Sequence, residues 1–239
     1  PPRSTLFPYT TLFRSGSSRI LVDGLLKPKE VLYGGYITFT VGFLLGLILV
    51  AYHGLPILYL GLAGLLGGIF YTGYPINYKY FALGDFGVFM LLGPLMMLGT
   101  FMGLTGEFNW EIMFISLPIG LLVAAILHAN NIRDILYDSK ARIKTMAILF
   151  GLQGAKVEYY VLVFGAYLSV IIMVLIQMVT PWALLVFLSI KPALDNIKLI
   201  SKAKVEQPDL IMMTDVTTAQ HQLLFGVFYA IGILIGKWF

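Results

Sequence analysis

The stretch NNIRDILYD, residues 130–138, decides how the rest of this 239-residue sequence is interpreted. It follows the apolar run 112–128. If that run continues as a helix, Asn130, Asp134 and Asp138 recur every four residues and share one face. Mg²⁺ binds through one or two carboxylates together with the phosphate oxygens of a substrate. The stretch therefore predicts a diphosphate ligand, and its alternative is a solvated helix end.

Composition predicts an all-α fold, a polytopic transmembrane helix bundle. Hydrophobic residues make up 59% of the chain, charged residues 12%, and the mean hydropathy is +0.87, values that belong to membrane proteins. Apolar runs long enough to cross about 30 Å of hydrocarbon predict seven spans. They are 31–52, 56–72, 86–104, 112–128, 159–179, 181–190 extended into the following residues, and 222–238. The sequence has no cysteine, which excludes disulfides and thiolate metal sites.

The charges predict an orientation in the lipid bilayer. With seven spans, every Lys and Arg except Lys237 falls on one side, and the opposite loops carry Glu107 and Glu111. The positive-inside rule makes the basic side cytoplasmic. The net charge of +4 is explained by topology and by attraction of a diphosphate. No basic stripe with interleaved aromatic residues is present, so we expect no nucleic-acid partner.

Two loops on that side carry further candidates. Lys79 is a candidate diphosphate donor, and nearby tyrosines offer ring faces that would stabilise a carbocation. The alternatives are a positive-inside lysine and interfacial aromatic residues. Lys144 follows the acidic stretch and is either a phosphate contact or a loop anchor. His128 is a weak metal signal by itself, and the sequence favours a polar residue near a helix end.

The first residues differ in pattern from the rest of the chain. Residues 1–16 have no helical period, and the string 4–15 resembles a translated sequencing-adaptor tail, so we expect a non-native segment there. Residues 17–239 then form a single transmembrane domain. Arg19, beside the first span, is a snorkelling anchor unless a phosphate-binding element lies close to it.

Three stretches together resemble the UbiA superfamily of intramembrane prenyltransferases, most closely the branch that prenylates 1,4-dihydroxy-2-naphthoate in menaquinone synthesis. Residues 130–138 followed by 144–147 are similar to that family's second aspartate-rich motif and the helix start after it. Residues 71–85 with Gly93-Pro94 resemble the branch's loop between its fourth and fifth helices, and 215–226 resembles its last helix. The resemblance covers 18–239.

The resemblance also implies departures from the family. The family fold has nine helices around a central cavity with two aspartate-rich motifs facing each other. Only seven spans are expected here, so the resemblance implies that the first two helices and the first motif are absent. Arg142 stands where the family usually has Gly. An inactive fragment is therefore one expectation for this chain.

The implied activity is a Mg²⁺-dependent aromatic prenyltransferase. It would move a polyprenyl group from its diphosphate to 1,4-dihydroxy-2-naphthoate, with loss of the ring carboxylate, at a cytoplasmic-facing site in the inner (plasma) membrane. Asp134 and Asp138 would hold the metal. Asn130, Asn131 and Arg133 would orient the metal or the phosphates. The implied substrate contacts are Lys79, Arg19 and Lys144 for the diphosphate, together with Tyr71, Tyr80 and Asp85.

Two other activities are compatible with the same residues. Within the family, the acceptor would instead be 4-hydroxybenzoate or homogentisate. Outside enzymes, acids in a membrane bundle also mark the ion path of a cation-coupled transporter. That alternative predicts acids near mid-membrane on broken helices.

Overall fold

The computed structural model describes residues 21, 24–141 and 143–237, and this part of the chain is helical without any named strand. Its α-helices are α1 (Pro28–His53), α2 (Leu55–Thr72), α3 (Gly84–Met90), α4 (Met96–Thr105), α5 (Trp110–Ile115), α6 (Leu117–Lys140), α7 (Met146–Leu175), α8 (Ile190–Ser201) and α9 (Thr214–Gly236). Short 3₁₀ helices lie at Tyr78–Tyr80, Pro181–Ser189 and Pro208–Ile211, and a π-helical turn at Leu91–Leu95 joins α3 to α4. The all-α prediction is confirmed.

Six helical segments in the described ranges are long and apolar enough to cross a membrane. They are Pro28–His53, Leu55–Thr72, Gly84–Thr105, Trp110–Lys140, Met146–Leu175 and Pro208–Gly236. Each contains or overlaps one of the predicted apolar runs. The chain is therefore a multi-pass membrane protein.

The segment predicted as a seventh span differs from the other six. It begins as the 3₁₀ helix Pro181–Ser189, which at about 2 Å per residue is too short by itself to cross about 30 Å of hydrocarbon, and it continues directly into α8, so that the two together lie beside α9 from Gly232 to Thr217. The 3₁₀ helix lies close to α9 because Gly232 has no side chain, and the Trp182 carbonyl occupies the place where a Cβ would project. The continuation, α8, is amphipathic and carries the exposed ion pair Lys191–Asp195.

Helix α7 begins well before the apolar run that predicted it. Thr145 caps the helix by accepting a hydrogen bond from the Ile148 amide. The helix is interrupted in its second turn at Gly151, whose φ of 66° is a left-handed value that favours glycine. The early start adds two charged residues, Lys156 and Glu158, to a helix that the sequence pattern had treated as apolar.

The tightly packed core lies in the second half of the chain, among α6, α7, the 3₁₀ helix Pro181–Ser189 and α9. The α3–α4 segment joins it through glycines: a Cβ on Gly93 would lie 2.7 Å from the Cα of Gly120. Small residues allow such close approach of membrane helices. By contrast, α1 has no buried residue and presents apolar side chains on every face.

One end of the bundle gathers the loops that carry the predicted polar residues. The Ala82 amide donates to the Lys144 carbonyl at 2.8 Å, and Phe81 pairs with Lys144 in an isolated bridge. The α2–α3 loop is thereby held against the α6–α7 loop. Three expectations, the non-native tail 1–16, Arg19 and Arg142, fall outside the described residues.

Candidate functional site

The acid pair, Asp134 and Asp138, lies in the last two turns of α6. The helix is continuous through residues 130–138, and Asn130, Asp134 and Asp138 are all partly exposed, while Asn131 and Arg133 are buried. The carboxylates of the acid pair are close enough to interact electrostatically, and Lys79 and Arg133 also act on Asp138. The acid pair thus faces outward from the helix with cations beside it.

Arg133 fixes one member of the acid pair. Its Nε and Nη2 donate to the two oxygens of Asp134 at 3.0 and 3.1 Å, and its Nη1 donates to Asp215 at 2.9 Å. The remaining N–H groups donate to the Met212 carbonyl and to the Asn130 side chain. All five N–H donors of the guanidinium are therefore used. Arg133 ties α6 to the start of α9 and orients Asp134, and it has no donor left for a phosphate.

Lys79 lies across from the acid pair on the 3₁₀ helix Tyr78–Tyr80. Its Nζ lies over the rings of Tyr71 and Tyr80, 5.6 and 6.0 Å from their centroids, an arrangement that favours a cation. The Tyr78 hydroxyl donates to the Gly67 carbonyl at 2.9 Å, and the Tyr78 ring rests where a Cβ on Gly87 would be. These contacts hold the ammonium group at the edge of the site.

A second polar cluster, the buried network, consists of Asp85, His128, Asn131 and Glu158. Asn131 donates to Asp85 Oδ1 at 2.9 Å, and His128 Nδ1 lies 3.0 Å from Asp85 Oδ2. His128 Nε2 lies 2.9 Å from the Ala155 carbonyl and 3.6 Å from Glu158 Oε2. His128 is completely buried and Asp85 is 5% exposed. The buried network therefore links α3, α6 and α7.

The buried network has the residue types of a metal site, but its hydrogen bonds are those of a donor histidine. The ligand atoms of Asp85, His128 and Glu158 all lie within 4.8 Å of one another. A metal would need a free lone pair on the imidazole. Nε2 lies against the Ala155 carbonyl, which only accepts hydrogen bonds, and Nδ1 lies 3.0 Å from an oxygen of Asp85, so both ring nitrogens already have hydrogen-bond partners. The acid pair is the better match to a hard cation because it offers exposed oxygen ligands.

Two recesses adjoin these clusters. A narrow cleft beside the buried network is lined by Tyr71, Lys79, Gly84, Asp85, Leu127, Asn131, Thr145 and Met146. A larger groove of about 670 Å³ lies between α1, α2 and the α3–α4 segment, and nearly all of its lining is apolar. Leu91, which lines the groove, is six residues from Asp85 along α3 and the π-helical turn, a rise of about 9 Å. Charged groups thus lie close to one end of an apolar groove.

The comparison with known protein families agrees with this arrangement. The model of the UbiA prenyltransferase family matches residues 14–214, more than half of the chain.

The chain belongs to the UbiA prenyltransferase family.

Curated relatives support the same family. The chain is 33% identical over 210 residues to a 1,4-dihydroxy-2-naphthoate octaprenyltransferase of Bacillus subtilis (strain 168), covering 88% of this chain and 67% of that protein. It is 33% identical over 225 residues to UbiA prenyltransferase domain-containing protein 1 of Gallus gallus, covering 93% and 65%. A homolog of that protein in Drosophila melanogaster is 38% identical over 160 residues, covering 64% and 44%. The chain spans about two thirds or less of the length of these UbiA relatives.

The structure brings most of the UbiA-like residues named from sequence to one end of the bundle. Asp85 and Asn131 are hydrogen-bonded to each other. The Lys79 ammonium lies over the rings of Tyr71 and Tyr80. Asn130 and Asp134 both accept hydrogen bonds from Arg133. The side chain of Lys144 is exposed, and its backbone supports the loop that carries Lys79.

Sequence reasoning missed three polar residues that the structure places in the candidate site. His128 is a buried partner of Asp85, and not a polar residue near a helix end. Glu158 lies just before the predicted apolar run 159–179, in the part of α7 that the run did not cover, and Asp215 at the start of α9 pairs with Arg133. His128 precedes Asn131 by three residues and so lies near the same helix face, a signal that could have connected the two.

Proposed function

We propose that the protein transfers a polyprenyl group from its diphosphate to 1,4-dihydroxy-2-naphthoate, the acceptor in the name of the Bacillus subtilis relative. The observation that carries the proposal is the placement of the acid pair beside Lys79 at one end of the bundle, together with an apolar groove whose lining residue Leu91 lies about 9 Å along α3 and the π-helical turn from Asp85. A prenyl diphosphate has the same division into a charged head and a long apolar tail.

The acid pair fits Mg²⁺ by its chemistry. Each carboxylate oxygen has two lone pairs, and Arg133 uses one on each oxygen of Asp134. Acceptor capacity therefore remains on Asp134, and Asp138 is partly exposed beside it. Asp134 and Asp138 would hold the ion, with Asn130 and Asn131 nearby on the same helix. When bound, Mg²⁺ would offset the negative charge that develops on the departing diphosphate.

The remaining site residues act on the two ends of the donor. Lys79 would donate to diphosphate oxygens, and Lys144 and Arg19 are further proposed contacts with the diphosphate. Tyr71 and Tyr80 would present their ring faces to positive charge on the allylic carbon as the C–O bond breaks. The apolar groove would hold the polyprenyl tail away from water. The electron-rich ring of the acceptor then takes the allylic group, and the ring carboxylate leaves as carbon dioxide.

The proposed location is the inner (plasma) membrane with the site facing the cytoplasm. The helix ends that carry the site also carry Lys27, Lys79, Lys140, Lys144 and Lys202, whereas the α4–α5 connection at the other end carries Glu107 and Glu111. This distribution follows the positive-inside rule.

A prenyl-transfer assay on the full-length protein that carries this chain tests the proposal. The protein would be reconstituted in vesicles and given a polyprenyl diphosphate with 1,4-dihydroxy-2-naphthoate, 4-hydroxybenzoate or homogentisate, each with Mg²⁺ or with a chelator. We expect a prenylated, decarboxylated product from the first acceptor, only with Mg²⁺. Product from another acceptor alone would replace the proposed acceptor, and no product from any acceptor would refute the activity. Equal turnover with the chelator would remove the metal assignment.

The cation-coupled transporter has less support. It predicts acids near mid-membrane on broken helices, whereas α6 is continuous and Asp138 lies in its last turn. Flux of a monovalent cation through protein-containing vesicles without prenyl substrates would be the observation in its favour.

A further inference from the structure

The hydrogen bonds of His128 in the buried network require one proton more than a neutral imidazole and an ionised Asp85 carboxylate carry together. Nε2 of His128 faces the Ala155 carbonyl and Nδ1 faces the Asp85 carboxylate. A carbonyl and an ionised carboxylate both accept hydrogen bonds, whereas a neutral imidazole has only one N–H. Both contacts are satisfied only when an extra proton is shared between His128 and Asp85. The carboxylates of Asp85 and Glu158 flank the ring and favour the proton on the imidazole, where His128 is a double donor.

Glu158 places a second carboxylate beside the imidazole. Its Oε2 is buried, has no hydrogen-bond partner among the described residues, and lies 3.6 Å from His128 Nε2. A buried charge without compensation is strongly unfavourable. With Asp85 on one side of the imidazole and Glu158 on the other, the positive charge has a counter-charge on each side. The ring is thereby held by α3 and α7 together.

Asp85 is fixed by two hydrogen bonds and lines the narrow cleft. Each of its oxygens already accepts one hydrogen bond, from Asn131 or from His128, and each keeps one lone pair. Asp85 lines the narrow cleft together with Lys79 and Tyr71. Two donors fix this carboxylate, and it keeps free lone pairs. It can therefore accept a further hydrogen bond from a ligand. The cleft has a volume of only about 10 Å³, so a hydroxyl would enter it while the ring that carries the hydroxyl stays at its mouth.

We propose that Asp85 recognises the aromatic acceptor by accepting a hydrogen bond from its ring hydroxyl, and that His128 is a positioning residue that holds Asp85 for this contact. The inference rests on the proposed function and deepens it by assigning the acceptor end of the site. A hydroxyl that donates to a carboxylate gives more electron density to its ring, which makes the ring a better nucleophile. Acceptors without a hydroxyl would leave the remaining lone pairs of Asp85 without a donor in a site that excludes water, which weakens the binding of these acceptors.

The test is equilibrium binding, which does not require turnover. Affinities of the full-length protein would be measured for 1,4-dihydroxy-2-naphthoate and for 2-naphthoate, which lacks the hydroxyls but adds no bulk. We expect the wild-type protein to prefer the hydroxylated compound, and Asp85→Asn to reduce that preference by about 10- to 100-fold, the range for a hydrogen bond to a charged group. The affinity for the polyprenyl diphosphate should be unchanged.

The control and the second variant separate recognition from a structural role. Tyr229→Phe removes a hydrogen bond to the Ile115 carbonyl elsewhere in the bundle and should leave the preference unchanged. His128→Gln keeps one donor toward Asp85 and should reduce the preference less, an effect that disappears in the Asp85→Asn background. It also tests the inference if Asp85→Asn does not fold.

Three results would overturn the inference. The first is equal affinity of the wild-type protein for both naphthoates. The second is an unchanged preference in folded Asp85→Asn protein, and the third is an effect of His128→Gln that persists in the double variant. Selective binding without any prenyl transfer would instead refute the proposed function and leave the recognition by Asp85 standing.

Discussion

The two polar clusters of this protein lie on the same helix and have opposite surroundings. The acid pair is in the last turns of α6, where its side chains are partly exposed and Arg133 orients Asp134. The buried network begins on the same helix at His128, which has protein partners on both ring nitrogens. A helix can therefore present free ligand atoms at its exposed end and internally satisfied groups less than two turns earlier. The difference predicts which substitutions affect catalysis and which affect folding.

The largest expected effect is the loss of turnover in Asp138→Asn. The side chain of Asp138 has no hydrogen bond within the described part of the chain, so its carboxylate is free for a metal or substrate. We expect a fall in kcat/KM of about 10³-fold, the scale for removing a group that stabilises transition-state charge. The midpoint of thermal unfolding should stay within a few degrees of the wild-type value. A large loss of stability with near-normal turnover would mean that the acid pair is structural.

The next effect should fall on stability. Arg133→Met would leave Asp134 and Asp215 without their shared partner, and we expect the free energy of unfolding to fall by about 3–5 kcal/mol because the guanidinium is buried. The matched control is Lys191→Met, which removes an exposed pair of similar length, 3.0 Å, and should cost less than about 1 kcal/mol. Denaturant titration in detergent would measure both, and equal losses would contradict the difference in burial.

A smaller effect on substrate binding is expected from Lys79→Met. If the ammonium contacts the diphosphate, the KM for the polyprenyl diphosphate should rise about 10-fold or more, with little change in the KM for the acceptor. Lys198→Met, which removes an exposed lysine of α8, is the control and should change either KM by less than about 3-fold. A rise confined to the acceptor KM would move Lys79 to the other end of the site.

The smallest effect is expected from Gly87→Ala, because it acts through the loop and not on the site itself. The new methyl group would meet the Tyr78 ring, which holds the loop carrying Lys79. We expect about 1–3 kcal/mol of destabilisation from overpacking and a few-fold higher KM for the diphosphate. Gly68→Ala, where a Cβ would meet nothing within 4 Å, is the matched control. Equal behaviour of the two variants would show that Tyr78 moves aside freely.

The distinction between the two clusters also explains which site residues could be predicted from sequence patterns. The acid pair was found from its spacing because residues four apart share a helix face whatever the helix packs against. The contact between Asp85 and His128 in the buried network was not predicted because 43 residues separate the two, and the pair of Arg133 and Asp215 was not predicted because 82 residues separate them. The charge of Glu158 was overlooked because α7 starts earlier than its apolar run.

Taken alone, the amino-acid sequence determined the membrane class, six of the spans, the family and the outward-facing acid pair, because hydropathy and helical periodicity are properties of neighbouring residues. The tertiary structure decided that Pro181–Ser189 is a 3₁₀ helix against Gly232, that Arg133 is fully used by protein acceptors, and that His128 joins Asp85 to Glu158. Those outcomes depend on which helices meet and how closely. Pairing between distant buried groups is set by packing, which no local pattern encodes.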